Sequence, residues 1–162
     1  MKKLFIFLSV IAGILSVGLL MYIRFQKIMI KDLNGRLLKF KNYYNLYNVW
    51  IQSKLEGFSF SEKLMSAGYN KIGIYGNGEI GCRLYEELKG SDVQVSFFVD
   101  KLANDMEILH DENVPVITVN NLNNNCDVDV IIITTVNIFD EIKGLVEENT
   151  SCEIISVEDL FK

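Results

Sequence analysis

Residues 71–81 read KIGIYGNGEIG, and they decide the fold. The first five form a short, mostly apolar run that suits a buried strand. That run passes directly into Gly76-Asn77-Gly78-Glu79-Ile80-Gly81, a G-x-G-x-x-G pattern. Beyond it, Ile80, Leu84 and Leu88 recur at helical spacing. Three glycines in this pattern mean little alone and much more between a strand and a helix. Gly76 permits a tight turn out of the strand, Gly78 lets backbone approach a pyrophosphate, and Gly81 lets helix and sheet lie close. The helix start then aims its N–H groups and positive dipole end at the phosphates. Asn77, Glu79 and Ile80 complete the loop, with Glu79 expected to point outward because a carboxylate facing phosphates is repelled.

Downstream, residues 93–99 make a second strand that ends at Asp100. Asp100 lies 19 residues beyond Gly81, where a carboxylate receives ribose hydroxyls. It also repels a 2′-phosphate, so NAD is expected over NADP, with Lys101 adjacent as a dissenting charge. Residues 116–119 form a third strand, and residues 129–136 a fourth whose Val-Ile-Ile-Ile run suits burial on both faces. Asn137 is placed to cap a helix with core face Ile138, Ile142, Leu145 and Val146. Residues 153–157 form a fifth strand. The Asn-rich connection at residues 120–125 makes for a short or irregular helix. Such alternation implies an α/β fold, a doubly wound parallel five-stranded Rossmann-like sheet in order 3-2-1-4-5. Thr134 and Thr135 then fall at the strand ends beside the glycine loop, where they could touch ribose or phosphate.

Upstream, residues 4–23 read LFIFLSVIAGILSVGLLMYI without a charge. At about 1.5 Å per residue they span a hydrocarbon core of about 30 Å. The run is longer than a signal-peptide core and closes on Leu19, Leu20, Met21 and Tyr22 rather than small residues. It therefore reads as a single-pass anchor. More Lys and Arg follow it than precede it, which favours a cytoplasmic C-terminal domain in the cell membrane. Reduced cysteines and a nucleotide ligand agree with that side.

Between anchor and domain, Leu33, Leu37, Phe40, Tyr44, Tyr47 and Ile51 alternate by four and three. This heptad spacing supports self-association as a coiled coil. The same stretch, with Tyr43 and Trp50, also suits a helix on lipid headgroups or one packed on its own domain. Asn34-Gly35 weakens the helix. Gly57 breaks it, and Ser59 with Glu62 has capping-box spacing for a short helix ending at Gly68. The expected parts are an anchor over residues 1–23, a basic helical stalk over 24–57 and the nucleotide-binding domain over 58–162.

Charge divides the same way. Residues 1–70 hold 10 Lys and Arg against 3 acids, and residues 71–162 hold 6 against 18. An acidic domain repels phosphate backbones, which argues against nucleic acid, while the basic stretch suits anionic lipid. Cys82, Cys126 and Cys152 are widely spaced, show no metal pattern and read as reduced thiols. The one histidine, His110, cannot build a metal site alone and reads as a loop residue.

The blocks KIGIYGNGEIGCRLYEEL, VSFFVDK, PVITVNNL, DVDVIIITT and EIISVEDLF resemble the Rossmann-like nucleotide-binding domain of bacterial polysaccharide-biosynthesis proteins. That family includes membrane-linked nucleotide-sugar epimerase/dehydratases and the N-terminal domain of sugar O-acyltransferases. The resemblance covers roughly residues 70–160 and implies that Gly76, Gly78 and Gly81 bind NAD or a nucleotide sugar. The catalytic Tyr-x-x-x-Lys that such epimerases use has one literal counterpart, Tyr85 and Lys89. It follows the glycine loop too closely and reads as a surface pair. No catalytic set is evident, so the expectation is a membrane-tethered nucleotide-binding module accessory to polysaccharide or glycosyl-transfer enzymes. The alternatives are a subunit whose partner chain completes an epimerase/dehydratase-type enzyme, or an adaptor that has lost its ligand.

Overall fold

The computed structural model describes residues 2–103, 114–125 and 127–162, so His110 and Cys126 lie outside the described residues. The chain divides into two compact units, one ending at Asn42 and the other Tyr43–Lys162. Helix α1 (Lys2–Leu55) begins in the first and ends in the second, and Asn34-Gly35 does not interrupt it.

In the first unit nearly every described side chain is exposed, including large apolar ones such as Leu4, Leu15 and Met21. Its helix is long and apolar enough to cross a membrane, and none of that stretch is buried among the described residues. Exposure of so much apolar surface is costly in water at roughly 25 cal/mol per Å².

The second unit is an α/β domain. α2 (Phe60–Ser66) starts at Ser59, whose hydroxyl accepts the Glu62 N–H, and gives way to Gly68 in the left-handed region. β1 (Lys71–Tyr75), α3 (Glu79–Leu88), β2 (Gln94–Val99) and β3 (Val116–Ile117) follow. After a 3-10 turn come α4 (Leu122–Asn125), β4 (Val130–Ile133), α5 (Phe139–Glu147) and β5 (Glu153–Ser156), then a 3-10 turn at Val157–Phe161. The strands form one parallel sheet in the order β3-β2-β1-β4-β5. This is the expected order, and the Asn-rich connection is short as expected.

Strand alternation divides the core. Ile72, Ile74, Val130 and Ile132 face α2, α3 and the end of α1, while Tyr75, Ile131 and Ile133 face Leu122 and α5. All four residues of β4 are buried, as a central parallel strand requires. Asp129, just before β4, accepts the N–H groups of Asn70 and Lys71 at 2.8 Å each and so pins the start of β1 to the start of β4.

Four expectations need correction. The compact domain starts at Tyr43 rather than near residue 58, because the last turns of α1 belong to its core. Leu46 and Trp50 are buried there, and Trp50 meets Phe60 at 4.8 Å and Phe161 at 5.8 Å between ring centroids. Tyr43 and Tyr47 pack on the same core, so these aromatics serve the domain. Asn137 does not cap α5. It sits in a 3-10 turn, Ile138 is the N-cap of α5 with no side-chain cap, and Ile142 and Val146 are buried while Ile138 and Leu145 stay exposed. Tyr85 is no surface residue. It is buried edge-on against Phe98, with Lys89 Nζ 5.8 Å from its ring centre. Finally, Cys152 is disulfide-bonded while Cys82 is in no disulfide, which removes the reduced-cysteine argument for a cytoplasmic domain.

Candidate functional site

β1 delivers the chain to the C-terminal edge of the sheet, where Gly76 turns it with φ +104°. Its N–H donates to the Val99 carbonyl of β2, and Thr134 N–H donates to Tyr75 O from the end of β4. The loop is thus held on both sides by neighbouring strands.

The three glycines stand in different circumstances. A Cβ on Gly76 would lie 2.6 Å from Thr134 Oγ1, and its φ already disfavours a side chain. A Cβ on Gly81 would lie 2.0 Å from the Gly76 carbonyl oxygen, so this position admits only glycine for α3 to sit against the loop. Gly78 has neither reason. Its φ of −97° and ψ of −169° suit any residue, and nothing lies within 4 Å of where its Cβ would be. It occupies the N-cap of α3 and no side chain caps that helix. The start of α3 therefore presents backbone N–H groups beneath open space.

Around this opening the structure gathers the remaining expected residues. Asn77 is fully buried and Ile80 is in the core, while Glu79 is exposed, as expected. Asp100 is half-buried at the end of β2. Its Oδ2 accepts the Asn77 N–H at 3.0 Å and its Oδ1 accepts the Leu102 N–H at 3.0 Å. A carboxylate has about four acceptor positions, so both oxygens keep capacity for hydroxyl donors. Lys101 is exposed. Thr134 is buried, and its hydroxyl donates to Tyr75 O at 2.8 Å, with Gly76 O at 3.4 Å. That ties it to the loop's own backbone. Thr135 differs, because its Oγ1 is buried with no hydrogen-bond partner among the described residues. A buried hydroxyl in that state is costly unless a ligand or water answers it.

Tyr75 closes the strand below the loop. Burial raises its hydroxyl above the ordinary tyrosine value, with Asp100 and then Glu141 adding to the effect. Cys82, in the second turn of α3, also has a raised pKa, first because of burial. It is held as a thiol and offers no activated nucleophile.

A separate groove of about 490 Å³ runs along the outer side of α3, lined by Tyr47, Trp50, Ile51, Arg83, Glu86 and Glu87. Its charges are answered internally, Arg83 by Glu86 and Glu87 by Lys54. It records how the end of α1 lies along α3. Glu79 and Arg83 act on Tyr47, whereas Lys54 reaches Glu87, so the two helices run in the same direction. Periodicity alone did not reveal this docking, although the off-seam Tyr43 and Trp50 were its signal.

Compared with protein families, with curated proteins and with solved structures, the chain matches none.

Proposed function

We propose that this chain is a membrane-tethered module that binds NAD or a nucleotide sugar at the glycine loop and serves surface-polysaccharide or glycosyl-transfer enzymes. The observation that carries the reading is Gly78. Two glycines of the pattern are explained by the polypeptide itself, and the third is not. A residue free to carry a side chain, yet lacking one at an uncapped helix start, fits a site kept clear for a diphosphate. Asp100 at the second strand end and the unanswered Thr135 hydroxyl supply a ribose acceptor and a further donor beside it. The carboxylate favours a free 2′-hydroxyl, hence NAD over its phosphorylated form.

The test is calorimetric titration of the full chain in nanodiscs with NAD, NADH and a panel of UDP-sugars. Saturable binding is expected, and Gly78→Val should abolish it while costing the fold only the modest penalty of a poorer N-cap residue. A folded wild-type chain that binds none of these ligands, or a Gly78→Val chain that still binds, sinks the proposal.

The tether rests on the exposed apolar run of α1. The chain should resist extraction from membranes by high salt and by alkaline carbonate, and release by either wash would remove this part of the reading.

A further inference from the structure

Past the uncharged run, residues 24–41 of α1 carry six Lys and Arg against a single acid, Asp32. They lie wholly in the first unit. Asp32 is already answered by Arg36, at 3.0 Å one turn on. Within this stretch no acid remains to balance Arg24, Lys27 and Lys31.

The two kinds of side chain are sorted around the helix. At about 100° per residue, Arg24, Lys27 and Lys31 fall within about 60° of arc. Met29, Leu33, Leu37 and Phe40 fall within about 80°, centred about 150° away. All four are between 53% and 72% exposed. Ile28 and Leu38 sit among the cations, whose aliphatic stems also prefer apolar surroundings. A helix with cations on one face and aliphatic and aromatic residues on the other suits the boundary between headgroups and acyl chains. A second helix of the same kind would meet the apolar face and leave the cations unanswered.

We propose that residues 24–41 dock on anionic lipid of the membrane that holds the span. Arg24, Lys27 and Lys31 meet headgroup phosphates, and Met29, Leu33, Leu37 and Phe40 meet the acyl boundary. The helix continues unbroken from the span, so the contact comes from tilt and not from a bend. Lys2 to Lys41 measures about 58 Å along the axis, against about 40–45 Å for a bilayer with its headgroups. A tilt of about 40°, the upper end for spanning helices, keeps all of it within lipid. The apolar stripe sets which face leans down, and the long cationic side chains on the upper face reach back to phosphate. Charge decides the lipid. Each cation near an anionic surface adds about fivefold to binding, which a zwitterionic surface does not supply.

The experiment places a fluorescent amino acid at position 33, 37 or 40 of the full chain, in nanodiscs of phosphatidylcholine with or without phosphatidylglycerol. With phosphatidylglycerol, doxyl-labelled lipid should quench the probe. Acrylamide from the water should reach it several-fold less than a probe at Asn34, which lies on the cationic side. Without phosphatidylglycerol, or with Arg24→Gln, Lys27→Gln and Lys31→Gln combined, acrylamide should reach all four positions alike. High salt should have part of that effect. Glutamine keeps helix propensity, so the triple variant tests charge. Three results would each overturn the proposal: probes open to acrylamide in anionic nanodiscs, shelter that is the same with and without phosphatidylglycerol, or quenching between labelled chains in place of quenching by lipid. The last would put a second copy on the stripe. The docking requires that α1 be inserted, which the carbonate wash tests by itself, and no arm depends on a nucleotide.

Discussion

The backbone N–H of Asn77 donates to Asp100 Oδ2 at 3.0 Å, joining the middle of the glycine loop to the end of β2. The same carboxylate accepts the Leu102 N–H. Asp100 thus shapes the loop before any ribose reaches it. Asp100→Ala should speed amide exchange at Asn77 and weaken NAD binding about 10–100-fold, as loss of a hydrogen bond to a charged group implies. Exchange at Asn77 equal to that of the wild type would show that the carboxylate does not hold the loop.

Gly81 and Gly78 should respond in opposite ways to alanine. At Gly81 the new Cβ meets the Gly76 carbonyl at 2.0 Å, and backbone on both sides leaves little room to yield. Gly81→Ala should destabilise the domain by about 1–3 kcal/mol or more, as overpacking does. Gly78→Ala should lose at most about 0.5 kcal/mol, the difference between glycine and alanine at an N-cap. Urea denaturation of the two variants side by side decides the matter, and equal losses would contradict the assignment of different roles.

Trp50 is 5% exposed and wedged between Phe60 and Phe161. Trp50→Ala should therefore cost about 3–5 kcal/mol, the range for emptying a large aromatic site. A soluble fragment starting at Tyr43 should melt well above one starting at Ser59, which lacks the turn that covers Phe60. Matching melting curves would mean that the end of α1 is an attachment and no part of the core.

Asp129 contributes to the acid response. The Lys71 and Asn70 N–H groups hold its carboxyl below the ordinary carboxylate range. Because the folded-state value is depressed, its contribution is fully present above about pH 5 and is lost as pH falls through the folded value. The wild type should exceed Asp129→Asn in urea midpoint at neutral pH, and the gap should close as pH falls below the unfolded value and through the depressed folded one. A gap that persists undiminished at that acidity would show that the charge is not what ties β4 to β1.

Much of the sheet was legible because it rests on local signals. The β4 run is apolar throughout, β1 leads straight into glycines, and a parallel sheet with these connections has few ways to order itself. That Asp100 ends β2 beside the loop was legible from its spacing. What escaped depends on which of several apolar faces wins a contact. Tyr47 fits a heptad seam by spacing, yet its ring lies against α3, and only the position of that helix decides between the two. Thr134 and Thr135 are neighbours of one type in sequence. One hydroxyl reaches a backbone carbonyl and the other reaches no partner among the described residues.

The contact of Trp50 with Phe161 also has a kinetic side. It closes a loop of roughly a hundred residues, and such closure carries an entropy cost that only an already formed sheet can offset. The end of α1 should dock late in folding and leave first in unfolding. Until it docks, Phe60 and Phe161 remain uncovered, and this corner is where chaperones and proteases would find the nascent domain most open.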